Sequence, residues 1–193
     1  MAKAQRAERI GGGRDAMGER FEVVIVGSGP AGLSAGVQAA ARGLSHVLLE
    51  RGELANTIHR YQKRKHVMAE PQRLPLQGGL PLRFEAGSRE EVLAAWAGGA
   101  EAAHTNLRRG PGYEVKTISG SLGAFEVGLA NGESLSCARV VLAVGLQGNL
   151  NRFTVPGADL PHVSYQLDDP ADHTGKRIVV VGVGDAGIGA KGV

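Results

Sequence analysis

Between Phe21 and Arg51 the chain reads FEVVIVGSGPAGLSAGVQAAARGLSHVLLER, and few folds accommodate that order of residues. FEVVIV is a short, β-branched apolar run, the pattern of a strand buried on both faces of a parallel sheet. It ends at Gly27. From Pro30 to about Arg42 alanine dominates, a proline sits in the first turn, and Gly43 suits a helix end. SHVLLE then reads as a second strand finishing at Glu50. Strand, glycine turn, helix and strand in so short a span predict one βαβ unit.

The turn between strand and helix is Gly27-Ser28-Gly29-Pro30-Ala31-Gly32, with another glycine at Gly36 and an acid, Glu50, at the tip of the next strand. Each feature has a task in holding a dinucleotide. Gly27 permits a tight turn, the bare Cα of Gly29 lets a pyrophosphate touch the backbone, and Gly32 lets helix and strand pack closely. The amides and dipole at the helix N-terminus attract the negative phosphates. Glu50 would accept hydrogen bonds from both ribose hydroxyls of an adenosine, and its charge would repel a 2′-phosphate.

Composition narrows the alternatives. With 193 residues, 42% of them hydrophobic, the chain can build one good-sized domain, or one domain plus a fragment. Thirty glycines are about twice the usual ~7% share and follow no collagen-like period. Aromatics are only 4%, too few for the stacking surfaces of single-stranded nucleic-acid binders. The net charge of +3 owes much to the two ends and to HRYQKRKH, His59 to His66, a weak argument for nucleic acid and a better one for a solvated loop or one offering charge to cofactor phosphates. The six histidines lack metal-ligand spacing, so no metal site is expected, and no GxSxG elbow supports a hydrolase. One cysteine, Cys137, excludes an internal disulfide and a CxxC redox pair. The apolar runs are strand-sized, too short to span a bilayer, and residues 1–20 lack a signal-type hydrophobic segment, which points to a cytoplasmic protein.

Along the chain, residues 1–20 read as a flexible tail, with order beginning at Phe21. Residues 51–87 look like a long surface excursion. SREEVLAAWA, Ser88 to Ala97, carries a capping box of Ser88 and Glu91 ahead of Val92, Leu93 and Trp96, and predicts a helix. YEVKTIS and AFEVGLA are strand-like runs, and Asn131-Gly132 is a hairpin turn leading to ESLSCARVVLAVG. The expectation is a β-meander whose last strand, Arg139 to Val144, returns to the buried sheet. Cys137 falls in that strand region and reads as a small buried hydrophobe. A second strand and glycine turn begin at Lys176, with Gly182, Gly184 and Gly187 in GxGxxG spacing.

The quoted stretch from Val23 resembles the FAD fingerprint of the two-dinucleotide-domain flavoproteins, the pyridine nucleotide-disulfide oxidoreductases and their thioredoxin-reductase-like relatives. ESLSCARVVLAVGLQGNLNRFTVPG is similar to that family's second FAD motif, with Ala143-Val144-Gly145 where an alanine-threonine-glycine-like triplet is usual. KRIVVVGVGDAGIG resembles the start of its NAD(P)-binding domain. The resemblance implies an α/β, Rossmann-like FAD/NAD(P)-binding fold over 21–157 and the start of an incomplete NAD(P)-binding domain over 158–193. It also implies FAD as cofactor, NADH or NADPH as reductant, and cofactor contacts from the first glycine turn, Glu50, Arg51, Ala143, Gly145 and the second turn. A homodimer is compatible with it.

Family members that reduce disulfides carry a cysteine pair after the first ribose-binding acid or ahead of the NAD(P) glycines. Here those places read RGELANTIHRYQKRKH and VSYQLDDPADHTGKR, without cysteine. The resemblance therefore points to members that pass electrons from NAD(P)H through FAD to a non-disulfide acceptor such as an iron-sulfur protein or a quinone. Only IGAKGV follows the second glycine turn, too short and glycine-rich for its helix. The chain thus reads as the front portion of a longer oxidoreductase, expected to hold FAD weakly and to be catalytically incomplete, and no side chain stands out as an acid or base. The alternative is a non-catalytic remnant or an adenine-nucleotide-binding module.

Overall fold

The structure, a computed structural model, describes residues 19–68, 85–146 and 152–182. The βαβ unit is present. β1 (Arg20–Val26) and β2 (His46–Glu50) run parallel, with Val23 opposite His46 and Val26 opposite Leu49, and α1 (Pro30–Ala41) connects them. β1 begins at Arg20, one residue before the expected start. The flexible tail expected over residues 1–20 otherwise lies outside the described residues.

Downstream come α2 (Asn56–His59), the short strands β3 (His66–Val67) and β4 (Gly87–Ser88), and α3 (Arg89–Ala102). They are followed by β5 (Leu107–Arg109), β6 (Val115–Ser121), β7 (Ala124–Leu129) and β8 (Ser134–Leu142). One six-stranded sheet has the order β5-β2-β1-β8-β7-β6, and β3 pairs with β4 in a separate ladder. β5, β2, β1 and β8 are parallel; β6 and β7 are the expected antiparallel meander. Asn131-Gly132 turns β7 into β8, with Gly132 at φ +87° and its amide donating to the Leu129 carbonyl at 3.1 Å.

Several further details differ from expectation. The last strand begins at Ser134, not Arg139, because one strand serves two neighbours: residues 134–137 pair with β7, and 136–142 pair with β1. β5 was not anticipated; at three residues it shows no periodicity, and it forms because Leu107 to Arg109 can extend the ladder beside Leu48 to Glu50. α3 continues past Ala97 through Gly98 and Gly99, since Ala100, one turn beyond Trp96, buries on the same core. Its N-terminus is as expected: Ser88 Oγ accepts from the Glu91 amide while the Glu91 carboxylate accepts from the Ser88 amide at 2.8 Å.

Both faces of β1 and β2 are covered, which is why their sequences are largely apolar, whereas Val141 and Leu142 at the end of β8 are exposed. On one face Val23, Ile25 and Leu48 pack against Leu33 and Val37 of α1 and Trp96 of α3. On the other, Phe21, Val24, Val47 and Leu49 meet Val127, Leu129, Leu135 and Cys137 of the meander. Cys137 is fully buried, and burial pushes its thiol up from the ordinary value. His46 is a satisfied core histidine: Nδ1 donates to the Leu44 carbonyl at 2.9 Å, and Nε2 accepts from the Asn106 amide at 3.2 Å.

The basic run docks on the segment after β8. The Lys63 amide donates to the Asp168 carbonyl at 2.9 Å, Lys63 Nζ reaches Asp169, and Arg60 Nε donates to Gln166 Oε1 at 3.1 Å. The strand expected from Lys176 is not formed. Lys176 to Gly182 has no neighbouring strand among the described residues, and a strand without a ladder leaves its backbone polar groups to water. Val179 and Val181 of that run are exposed.

Candidate functional site

The glycine turn sits where β1, at the centre of the parallel strands, is flanked by β2 on one side and β8 on the other. The ladder runs to its end on both sides: the Gly27 amide donates to the Leu49 carbonyl and the Ala143 amide to the Val26 carbonyl, each at 2.8 Å. The turn therefore lies at the carboxyl ends of these strands, at the point where strand order reverses.

Each fingerprint glycine meets a different constraint. Gly27 has φ +99°, and a Cβ there would stand 2.4 Å from the Ala143 carbonyl oxygen. A Cβ on Gly32 would stand 1.7 Å from the Gly27 carbonyl oxygen and 3.3 Å from the Ala143 Cβ, so α1 lies directly against the turn and β8. Gly29 is the opposite case. Nothing lies within 4 Å of a Cβ added to it, so this glycine faces open space.

That space adjoins a helix end without a side-chain cap. Gly29 is the N-cap residue and Pro30 opens the helix, while the first intrahelical bond runs from the Leu33 amide to the Gly29 carbonyl at 2.9 Å. The amides of Ala31 and Gly32 are therefore donors that helix geometry leaves at the N-terminus. Pro30 and Ala31 are exposed, Gly32 buried.

Ser28 points the other way, into the protein. It is fully buried, and its amide and hydroxyl both donate to Glu50 Oε2 at 2.9 Å. Glu50 is itself buried, and Oε1 accepts from the Gly52 amide at 2.9 Å. The Ala55 amide closes the cluster on Ser28, 3.1 Å from its carbonyl oxygen and 3.2 Å from its hydroxyl. Three donors thus hold the buried carboxylate charge, as a buried charge requires.

The rim is charged and exposed. Arg51 lies 3.8 Å from Glu114, and Arg109, opposite Glu50 in the ladder, reaches Glu53 at 2.6 Å. Ala143 is half-buried against Gly27, and Gly145 is exposed at φ +67°. Gly182 sits at φ +118° at the end of the unpaired run after Lys176; Gly184 and Gly187 lie outside the described residues. Among the described residues no group of three His, Cys, Asp or Glu is placed to hold a metal, and no helix is long and apolar enough to cross a membrane.

An open cradle at Gly29, uncapped amides beside it and a fixed carboxylate at the tip of β2 suit the diphosphate and ribose of an adenine dinucleotide. Comparison with known proteins agrees. The family described as pyridine nucleotide-disulphide oxidoreductase matches residues 24–191. The chain belongs to that family. Its members depend on FAD and NAD(P)H. Among similar proteins, indole-3-pyruvate monooxygenase YUCCA1 of Oryza sativa subsp. japonica is 32% identical over 86% of this chain and 43% of its own length. A ferredoxin–NADP reductase of Ignicoccus hospitalis is 25% identical over 86% of this chain and 50% of its own. The bacillithiol disulfide reductase Bdr of Staphylococcus aureus superposes with a TM-score of 0.76 at 22% identity, over 90% of this chain and 53% of that one, a likeness of fold. The chain spans about half the length of these relatives.

Sequence reasoning missed three participants. The Gly52 amide and the Ala55 amide hold the Glu50–Ser28 pair, and Ala55 does so from a left-handed backbone at φ 51°. An alanine gives no signal of that conformation. Thr105 is the third: its Cγ2 lies 2.8 Å from where a Cβ on Gly36 would stand, which explains the fourth glycine of the region.

Proposed function

We propose that this chain is the FAD-binding portion of an oxidoreductase that carries electrons from NAD(P)H to a non-disulfide acceptor such as an iron-sulfur protein or a quinone. The observation that carries the reading is the pairing of open space at Gly29 with the fixed Glu50 carboxylate at the strand-order reversal. Residues 21–157 form the FAD-binding domain, and residues from 158 onward begin an NAD(P)-binding one. The setting is the cytoplasm.

The residues would divide the work. Ala31 and Gly32 amides receive the pyrophosphate over Gly29, Glu50 accepts from the adenosine ribose, and Ala143 to Gly145 lie beside the turn toward the flavin end. A bound flavin would supply the hydride acceptor; this chain's part is to hold and orient it. The reading against disulfides rests on Cys137, the single cysteine, whose buried thiol is held protonated in the core.

The test is to supply FAD, NADH or NADPH, and in turn a dye, a quinone and oxidised thioredoxin to the purified protein. Weak flavin binding with little or no NAD(P)H turnover is expected of this chain, and any turnover that occurs is with the dye or the quinone and not with the disulfide. Disulfide reduction that depends on Cys137 overturns the acceptor reading, and binding of ADP with no affinity for the flavin favours an adenine-nucleotide-binding module.

A further inference from the structure

We infer that Ser28 makes this site read one ribose hydroxyl rather than two. The inference rests on the assignment of Glu50 to the adenosine ribose and concerns how much of that carboxylate the sugar can use.

A carboxylate has about four acceptor positions, two on each oxygen. Both positions on Glu50 Oε2 are taken, by the Ser28 amide and the Ser28 hydroxyl, each at 2.9 Å. Oε1 gives one position to the Gly52 amide at 2.9 Å. One position remains, on Oε1. Neither Ser28 donor is free to leave: the residue is fully buried, and its oxygens are held in turn by the Ala55 amide. Two hydroxyls of a ribose therefore compete for a single acceptor, and the second must look elsewhere. Ser28 is a positioning residue here. It touches no ligand, and its hydroxyl decides which carboxylate oxygen faces the sugar.

A ribose lacking the hydroxyl that reaches Oε1 loses a hydrogen bond to a charged group, a cost on the order of tenfold or more in affinity. A ribose lacking the other hydroxyl leaves Glu50 fully satisfied and binds nearly as ADP does. Ser28→Ala removes one of the two donors on Oε2, which loosens the carboxylate and exposes a second acceptor position, so the two deoxy sugars become more alike.

The experiment is calorimetric titration of the 193-residue protein with ADP, 2′-deoxy-ADP and 3′-deoxy-ADP, repeated with Ser28→Ala and Glu50→Gln. The expected result for the unsubstituted protein is that one deoxy analogue binds on the order of tenfold more weakly than ADP and the other within about twofold. Ser28→Ala narrows the gap between the analogues, a change that lowered stability alone does not produce. Equal weakening by both deletions overturns the inference while leaving the ribose assignment standing, as does a gap that Ser28→Ala leaves unchanged. Unaltered ADP affinity in Glu50→Gln, or no ADP binding at all, overturns the ribose assignment and the inference with it.

Discussion

The carbonyl oxygen of Gly27 lies 1.7 Å from the position a Cβ on Gly32 would occupy, whereas a Cβ on Gly29, between them in sequence, would meet nothing within 4 Å. Two glycines of one motif are thus fixed by packing and the third by what must be left empty. Gly32→Ala drives a methyl group into backbone and is expected to destabilise the fold by about 3 kcal/mol or more. Gly29→Ala, at φ −67°, needs no strain and is expected to hold or raise stability by roughly 0.4–1 kcal/mol while weakening nucleotide binding. Urea denaturation of both variants beside an ADP titration separates these effects; equal destabilisation would contradict the distinction.

Cys137 is a second case in which chemistry and packing make different claims. Its side chain is enclosed with Phe21 and Val127, and burial raises its thiol. Cys137→Ser places a hydroxyl in that core and is expected to cost about 1–3 kcal/mol without altering any redox rate. In the native protein a thiol-specific reagent should react slowly at pH 8 and rapidly once urea unfolds the chain. Fast labelling of native protein would show the thiol to be accessible.

The capping box of α3 predicts a pH dependence. Hydrogen bonds from the Ser88 amide, and then from its hydroxyl, hold the Glu91 carboxyl below the ordinary value of 4.5. A depressed folded value means the stabilisation is complete above the ordinary pKa and is lost as pH falls through the folded one. Glu91→Gln is therefore expected to be less stable than the unsubstituted protein at pH 7, with the difference shrinking as the pH drops below about 4.5. Ser88→Ala should cost about 1 kcal/mol at neutral pH. Thermal melts at several pH values read both; a difference that grows on acidification has the wrong sign.

Much of this architecture was legible because local signals and tertiary packing agree in it. Pro30 at the helix start, Gly43 at φ +68° after its end, the Ser88–Glu91 box and Asn131-Gly132 each act within a few residues, and each marks the boundary it predicts. β5 was not legible, since three residues acquire strand geometry only from the edge that β2 presents. The run from Lys176 failed in the opposite sense. Its residues are those of a strand, yet a ladder needs a neighbour, and the described residues provide none. At the site, the sequence pointed to Gly29, Gly32 and Glu50, but the donors that hold the carboxylate, Gly52 and Ala55, are backbone amides that any residue type could supply. Ser28 could be read as part of the turn but not as a group directed inward.

The central claim is that the space above Gly29 receives the pyrophosphate of FAD. Its most direct test is the change in flavin fluorescence on titrating FAD with the unsubstituted protein and with Gly29→Val, after melting curves establish that both are folded. The account predicts saturable binding by the unsubstituted protein and a loss of about tenfold or more in the variant, which corresponds to ~1.4 kcal/mol or more. Equal affinity in the two folded proteins, or no binding by the unsubstituted one, would contradict it.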